Sequence, residues 1–555
     1  MTPDKVDAVI VGAGASGGVV AHQLAHAGLR VVLLERGSRL DVKNFQLHDE
    51  MLTRGNLYPP FNGLDRRHPR EFRHREGEAF QLIYPDSYSY PGLAAAVGGG
   101  QLFYGGLMWR FLPIDFRAGS EYGPISGSTL SDWPLTYEDL EPFYDLAEQH
   151  LGVAGEAGVN PFDGKRRRPF PLPPVQMQTG DLLIQKAARR LGYHPFTVPL
   201  GIATEPYKGR NGCIRHPCCN LFICEIGAKS TIVSALLPAT LATGNCRLVT
   251  EAVVKEVTLD GKGRPDGVAY FDQGKTLVRQ PAHLVILAAS ATETPRLLLN
   301  SRSRWFPKGL GNRNDWVGRN LMDHIGPSVV GFFEETTNEG LGPGPGVAID
   351  DFYGKNPGFA GGGVIYNRTE ALPMAFANIR PQTAPRWGKA HKEFQRKYFR
   401  RYCRLWVPGE MQPQFENRVE ISPSVRDAWG IPVARLTHHL HPNDYALYDF
   451  FREKMVNLMR EAGAFEVVSR PAGQGGVDAH QCGTCRMGND PKTSVVDRFG
   501  RLHDLDNVFV VDGSLFVTSG GRNPALTIQA LAYWVSDHII REWKGGGWQA
   551  KGGRA

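Results

Sequence analysis

Cysteine is scarce in this chain of 555 residues: there are eight, and four of them, Cys213, Cys218, Cys219 and Cys224, fall within one short segment. So few thiols over such a length exclude a scaffold built on disulfides. Long hydrophobic runs are missing too, and no segment approaches the roughly 18 apolar residues that a membrane-spanning helix needs. The opening "MTPDK" runs straight into a strand without the pattern of a secretory leader. The expectation is a cytoplasmic protein, or a periplasmic one co-exported on a partner that carries the signal. Charge of one sign is not in large excess either, with 63 Lys and Arg against 56 Asp and Glu. The densest basic run, 165–168 in "GKRRRPF", adjoins "PFPLPP" and reads as a solvated linker. It is too short to supply the phosphate contacts of a nucleic-acid partner.

Glycine, by contrast, is abundant at 65 residues, with 39 prolines, which favours turns and close backbone approaches over a helical bundle. The length exceeds what one core usually holds, so two large lobes are expected. The clearest local organisation is "VDAVIVGAGASGGVVAHQLAHAGLRVVLLERG". An apolar strand leads into Gly12, Gly14 and Gly17 in a G-x-G-x-x-G pattern, a helix follows, and a second strand ends at Glu35. The glycines permit the tight turn and let a pyrophosphate reach the helix N-terminus, while Glu35 can accept from ribose hydroxyls. The unit predicts a bound dinucleotide. It disfavours NADP and leaves FAD or NAD open.

Near the other end, "NVFVVDGS" reads as a buried strand stopping at Asp512 and Gly513, suited to a flavin-side phosphate or ribityl chain. "SGGRNPALTIQALAYWVSDHI" then starts a helix, with Asn523 expected at the N-cap and Pro524 at the first helical position. Its positive end would favour an anion in front of it.

With these motifs on the page, the chain resembles the glucose–methanol–choline (GMC) oxidoreductases, FAD-dependent enzymes that oxidise alcohols. The likeness extends through "AVGGGQLFYGGLMWRF", which looks like the family's flavin-contacting loop and implies FAD contacts at Gly99, Gly100, Tyr104 and Gly105. "AASATETPRLLLNS" and "VGRNLMDHIG" resemble further shared segments, and Val254 is implied as another cofactor contact. The family's catalytic pair falls on His480, in "HQCGT", and on Asn523. Removing a hydride from a carbinol carbon requires its hydroxyl proton to leave, and imidazole, with an ordinary pKa near 6.5, is a base for that step. Asn523 would hold the same oxygen. No attachment motif accompanies His68 or His74, so FAD is expected to be non-covalent.

The resemblance implies an α/β fold: a Rossmann-like FAD-binding domain over 1–110, 205–330 and 470–545, a connecting segment and cap over 111–204, and a mainly antiparallel substrate domain over 331–469. A disordered tail is expected at 546–555. "NRVEISPSVRDAWGIPVARLTHHL" alternates as two paired strands, and "DYALYDFFREKMVNLMREAG" reads as an amphipathic helix with a Gly stop. "LSDWPLTYEDLEPFYDLAEQHLGV" reads as another helix, capped by its Ser/Asp. Glu410 and Gln412 are candidates for either the substrate side or a surface loop. Similar segments occur in bacterial sugar dehydrogenase flavoprotein subunits, which points to a sugar, glycoside or polyol as substrate.

Cys482 and Cys485, beside His480, are expected to be packing residues, and Cys246 and Cys403 buried ones. For Cys213, Cys218, Cys219 and Cys224 four readings stay open: zinc, a disulfide, unligated thiols, or an iron–sulfur cluster. The run "CEIGA" at Cys224 resembles the cluster loop of those subunits. That resemblance implies electrons leaving FAD through a cluster toward a small accessory subunit or a cytochrome. An O2-using oxidase and a non-redox lyase of the same fold are the alternatives.

Overall fold

The computed structural model describes residues 3–40, 68–84, 92–369, 372–377, 379–381, 383–473, 477 and 479–546. The tail from residue 547 onward lies outside the described residues. Mainly apolar runs make the central sheet: Cys246–Val249, Val31–Leu34, Val6–Val11, the second half of Leu277–Leu287 and Val508–Val510 lie side by side in that order, each pair parallel. Strands of this kind are buried on both faces, which is why they read as continuous Val/Ile/Leu rather than as an alternation. The first half of Leu277–Leu287 pairs antiparallel with Pro265–Phe271, which pairs in turn with Val253–Leu259. The helix Ala15–His26 packs against the closing helix Ala525–Lys544, and that helix also packs against Tyr137–Leu151.

The start of Tyr137–Leu151 differs from the expectation. Thr136 is the cap, its hydroxyl accepting from the Asp139 N–H at 3.2 Å. Pro134 disfavours helical backbone at Trp133, so the helix cannot begin at the earlier Ser/Asp pair. Asp132 accepts from the Ser120 N–H at 2.8 Å instead. The basic run is a second correction. Arg166, Arg167 and Arg168 pair with Glu148, Glu141 and Asp145 of this helix, and buried Arg110 binds both glutamates. The run is therefore a strap tied by ion pairs to an acidic helix face rather than a free linker, while Lys165, Arg167 and Arg168 stay exposed to solvent as expected.

A six-stranded antiparallel sheet forms the second lobe, in the order Glu466–Ser469, Ser328–Phe332, Tyr402–Trp406, Ile365–Asn367, Val347–Ile349 and Pro195–Thr197. Helices Thr179–Arg190 and Pro442–Glu461 cover it through Ile184, Leu447, Phe451 and Met455. A boundary at residue 331 thus falls inside a strand, and the 111–204 segment contributes Pro195–Thr197. The hairpin Arg418–Arg426 with Pro432–Thr437 is present, but it joins Arg70–Arg73 and Gln81–Ile83 in a separate four-stranded sheet. Arg296 of helix Glu293–Asn300 fastens its turn to the first lobe, donating to Asp427 Oδ2 at 2.7 Å and to the Pro432 carbonyl at 2.8 Å.

Candidate active site

A cavity of about 640 Å³ lies between the lobes, within the range of cofactor and small-ligand sites. Gly12, Gly14 and Glu35 line it, together with Gly99, Gly100, Tyr104 and Gly105, and Val254, Asp512, Gly513 and Pro524 also reach its surface. Gly12 has φ +104°, and a Cβ there would stand 2.3 Å from the Ala288 carbonyl oxygen. Gly14 and Gly100 face open space. Gly17 does not line the cavity; a Cβ there would meet the Gly12 carbonyl at 1.9 Å, so its role is the close packing of helix on strand.

Glu35 is buried and accepts from the Ala13 and Gly37 N–H groups, each at 2.9 Å, one on each carboxylate oxygen. Each oxygen keeps a lone pair for a hydroxyl. Gln101 is also buried on the cavity wall, and neither of its amide atoms has a partner among the described residues. A glycine cradle, an acidic ribose binder and an orphaned amide together fit an adenine dinucleotide such as FAD. Asp512 serves differently from the expectation: its carboxylate accepts from Ser290 N, Ser514 N and the Thr294 and Ser514 hydroxyls. These fill its acceptor sites, so it shapes the loop, while Gly513 presents backbone to the cavity.

His480 and Asn523 meet at the same cavity, Asn523 Nδ2 lying 3.3 Å from His480 Nε2. The helix begins at Ala525, and Asn523 does not cap it. Its side chain is turned to His480 and to Trp109, whose indole N–H donates to Asn523 Oδ1 at 2.9 Å. On the far side, His480 Nδ1 lies 2.9 Å from His324 Nδ1, and His324 Nε2 faces the carbonyls of Ser519 and Gly520 at 3.2 and 2.9 Å.

With both rings neutral, the directions of these bonds follow from the partners. The two carbonyls only accept, so His324 Nε2 carries a proton and its Nδ1, in the neutral ring, accepts. His480 Nδ1 must then donate, which leaves Nε2 with its lone pair toward Asn523. Indole only donates, so Asn523 turns its oxygen to Trp109 and its N–H to His480. Burial, then the Arg368 charge, lowers His480 to about 4, so the imidazole is neutral near pH 7 and a weaker base than its ordinary value suggests.

The sequence did not single out His324, Trp109 or Arg522. His324 sits in the "VGRNLMDHIG" segment and Trp109 in the glycine loop, so proximity to quoted motifs was the one signal available. Arg522, buried beside Asn523, pairs with buried Asp350 and donates to the Arg110 carbonyl at 2.7 Å. Glu410 and Gln412 are neither substrate-side nor on the surface. Both are buried away from the cavity, Glu410 accepting from Gly362 N at 2.9 Å and Gln412 Oε1 from the Ser128 hydroxyl at 3.1 Å. Burial, with Asp115 nearby, pushes the Glu410 carboxyl up.

All eight cysteines are free. Cys482 and Cys485 are buried in the first lobe's core, and Cys246 and Cys403 are buried. Cys213, Cys218, Cys219 and Cys224 are half-buried. Cys213 packs with Cys219 in one apolar cluster and with Cys224 in another, and Cys219 reaches the cavity wall. Among the described residues the thiols do not converge as tightly as the ligands of a single ion. Only Asp323, His324 and His480 bring ligand atoms within 4.8 Å of one another, and there the two imidazoles are joined by the hydrogen bond described above.

GMC oxidoreductase models match residues 183–326 and 413–532, and an NAD(P)-binding Rossmann-like model matches 10–58. The chain is 32% identical to 2-methyl-1,2-propanediol dehydrogenase of Mycolicibacterium austroafricanum, covering 97% of this chain and 96% of that one. It is 31% identical to the gluconate 2-dehydrogenase flavoprotein of Pantoea cypripedii (97% and 94% covered) and 29% identical to the fructose dehydrogenase large subunit of Gluconobacter japonicus (98% and 99%). Among solved structures, pyridoxine 4-oxidase from Mesorbium loti shares the fold with a TM-score of 0.60 at 19% identity, covering 97% of this chain and 99% of that one. A Rossmann-like lobe, a second antiparallel lobe and matches along the whole chain identify the protein as an oxidoreductase that belongs to the GMC family.

Proposed function

We propose that the protein is an FAD-dependent dehydrogenase that oxidises a primary or secondary hydroxyl of a sugar, glycoside or polyol. The observation that carries this reading is His480 Nε2 held 3.3 Å from Asn523 Nδ2 on the wall of the cavity that the glycine loops also line. At 3.3 Å that contact is long for a hydrogen bond, so a hydroxyl oxygen has two partners ready: it donates its proton to His480 Nε2 and accepts from Asn523 Nδ2. Trp109 keeps the amide from turning over. Withdrawal of the hydroxyl proton makes the carbinol C–H a hydride donor, and the two fixed hydrogen bonds orient that C–H. FAD, held non-covalently by the 12–17 and 99–105 loops, Glu35 and Val254, supplies the hydride acceptor at flavin N5 when bound.

The reading extends to the thiols. Cys213, Cys219 and Cys224 would hold an iron–sulfur cluster, which supplies one-electron transfer to a partner protein when bound. Two observations favour these three. Cys213 and Cys219 border one apolar cluster, and Cys213 and Cys224 border another. Cys219 also lines the cavity, and the partial exposure of the loop leaves it open to an accessory subunit or a cytochrome. The test is an anaerobic preparation titrated with sugars and polyols. Flavin absorbance should bleach on addition, iron and sulfide should accompany flavin, and Cys219→Ser should lose them. Flavin that no hydroxyl compound reduces would sink the dehydrogenase reading, and peroxide formed mole for mole with product would make the protein an oxidase.

A further inference from the structure

The antiparallel lobe turns one face of its sheet to the cavity. Side chains alternate along Tyr402–Trp406: Cys403 and Leu405 enter the second lobe's core, while Arg404 and Trp406 line the cavity. On the neighbouring strand Ile365–Asn367, Ile365 enters the same core, and Tyr366 lines the cavity directly opposite Trp406. Arg368 follows two residues on and lines the cavity as well. Its N–H donates to the Arg404 carbonyl at 2.6 Å, which sets the two arginines side by side across the strands.

Neighbouring groups fix both arginines in place. Arg404 Nε donates to Ser328 Oγ at 2.8 Å, and the Arg404 N–H donates to the Thr369 hydroxyl at 2.9 Å. The Arg368 guanidinium lies 5.1 Å from the centre of the Trp406 ring, and that ring lies 6.1 Å from the His480 imidazole. This wall therefore runs from two guanidiniums, past one indole, to the candidate base. Like charges directly opposite on a sheet repel, and an anion seated between them is drawn to both. A guanidinium takes a carboxylate through two parallel N–H donors. The described acids on the cavity wall are held by other donors: Glu35 by the Ala13 and Gly37 N–H groups, Glu293 and Asp427 by Arg296, and Asp512 by Ser290, Thr294 and Ser514.

On the dehydrogenase reading given above, we propose that Arg368 and Arg404 form an anion subsite that binds a carboxylate of the substrate, so that the substrate class is a polyhydroxy acid rather than a neutral sugar. The carboxylate takes no part in the oxidation. Its two guanidinium partners hold one end of the substrate, the Trp406 ring offers an apolar face to the carbons between, and a hydroxyl farther along the chain meets His480 and Asn523. Anchoring at a fixed distance from the base selects which hydroxyl is oxidised.

The experiment follows flavin reduction in full-length, flavin-loaded wild type, Arg368→Gln and Arg404→Gln at about pH 8, where an ordinary imidazole is neutral. The probes are matched pairs: six-carbon aldonates, and the alditols that differ from them only by CH2OH in place of the carboxylate. Wild type should favour the aldonate in kcat/KM by about tenfold or more, the worth of one hydrogen bond to a charged group. Each Gln variant should lose that preference, chiefly through KM, while keeping its alditol kcat/KM. Wild type that treats both members of every pair alike overturns the subsite and leaves the dehydrogenase reading standing. Variants that lose aldonate and alditol turnover equally overturn it too, because the arginines then serve the wall rather than an anion. An alditol phosphate preferred to the aldonate overturns the carboxylate in favour of a phosphate ester. Flavin that no member of any pair reduces sinks the dehydrogenase reading itself. Wild type alone supplies a further check if the variants fail to fold. Glutarate, which has carboxylates but no hydroxyl, should inhibit competitively, and neutral glutaramide should not; equal behaviour of the two overturns the proposal.

Discussion

His480 Nδ1 and His324 Nδ1 are 2.9 Å apart, and this contact decides which nitrogen of His480 is basic. His324 is held by two carbonyls that can only accept, so its Nδ1 accepts from His480 and the lone pair of His480 is directed to Asn523. His324 is thus a positioning residue. His324→Leu should lower kcat by about 10- to 100-fold, up to the lower end of what positioned acid–base catalysis contributes, with flavin content unchanged. His324→Asn, which keeps an acceptor and a donor, should recover part of the loss. Equal kcat values for the Leu variant and wild type would remove the role.

Burial and Arg368 lower His480 to about 4, which fixes the acid limb of catalysis. A protonated ring cannot accept the hydroxyl proton, so kcat/KM should rise as pH rises through about 4 and stay flat through neutrality. Arg368→Leu removes a like charge, so it should move the limb upward. A wild-type limb at pH 6.5 or above would contradict the geometry.

Arg522 and Asp350 form a buried ion pair that anchors the backbone just before Asn523. Asp350→Ala leaves the guanidinium without its main partner, and breaking such a pair costs about 3–5 kcal/mol. The expected result is a lowered Tm together with a fall in kcat, because the loop that carries Asn523 loses its anchor. A variant with wild-type Tm and kcat would show that Asp163, the second partner of Arg522, suffices alone.

His438 is buried with neither ring nitrogen bonded to any of the described residues, and burial, followed by His439 and His74, lowers it to about 3. Unfolded, the ring titrates near 6.5. Between these values the unfolded chain binds the extra proton, so stability falls as pH drops from about 6.5 toward 3. By pH 5 this amounts to about 2 kcal/mol, at 1.36 kcal/mol per unit. His438→Leu should therefore gain thermal stability relative to wild type on acidification from pH 7 to 5. Parallel Tm curves for the two proteins would refute the assignment.

Much of the fold was legible because it is local. The first strand–turn–helix follows from apolar runs and glycines whose backbone approaches admit no side chain, and the helix Pro442–Glu461 ends near its glycine as its pattern predicts. Errors arose where a distant partner changed the meaning of a local signal. The basic run at 165–168 looks like a free linker until the acidic face of Tyr137–Leu151 is placed against it. Asn523 looks like a cap until Trp109 and His480 compete for its amide. Glu410 looks like a site residue until the strand pairing with His324 turns it toward Gly361 and Gly362.

The sequence by itself determined the Rossmann-like unit and the crowding of four cysteines, since each is a matter of spacing along the chain, while the candidate pair His480 and Asn523 came from the resemblance to the GMC family. Only the tertiary structure decided which groups surround His480 and Asn523, and where the arginines of the 165–168 run and Glu410 find their partners. Those are questions of hydrogen-bond direction and of charge pairing across the fold. Their answers come from Trp109, His324, the Ser519 and Gly520 carbonyls and the acidic face of Tyr137–Leu151, groups that meet only after the chain has closed on itself.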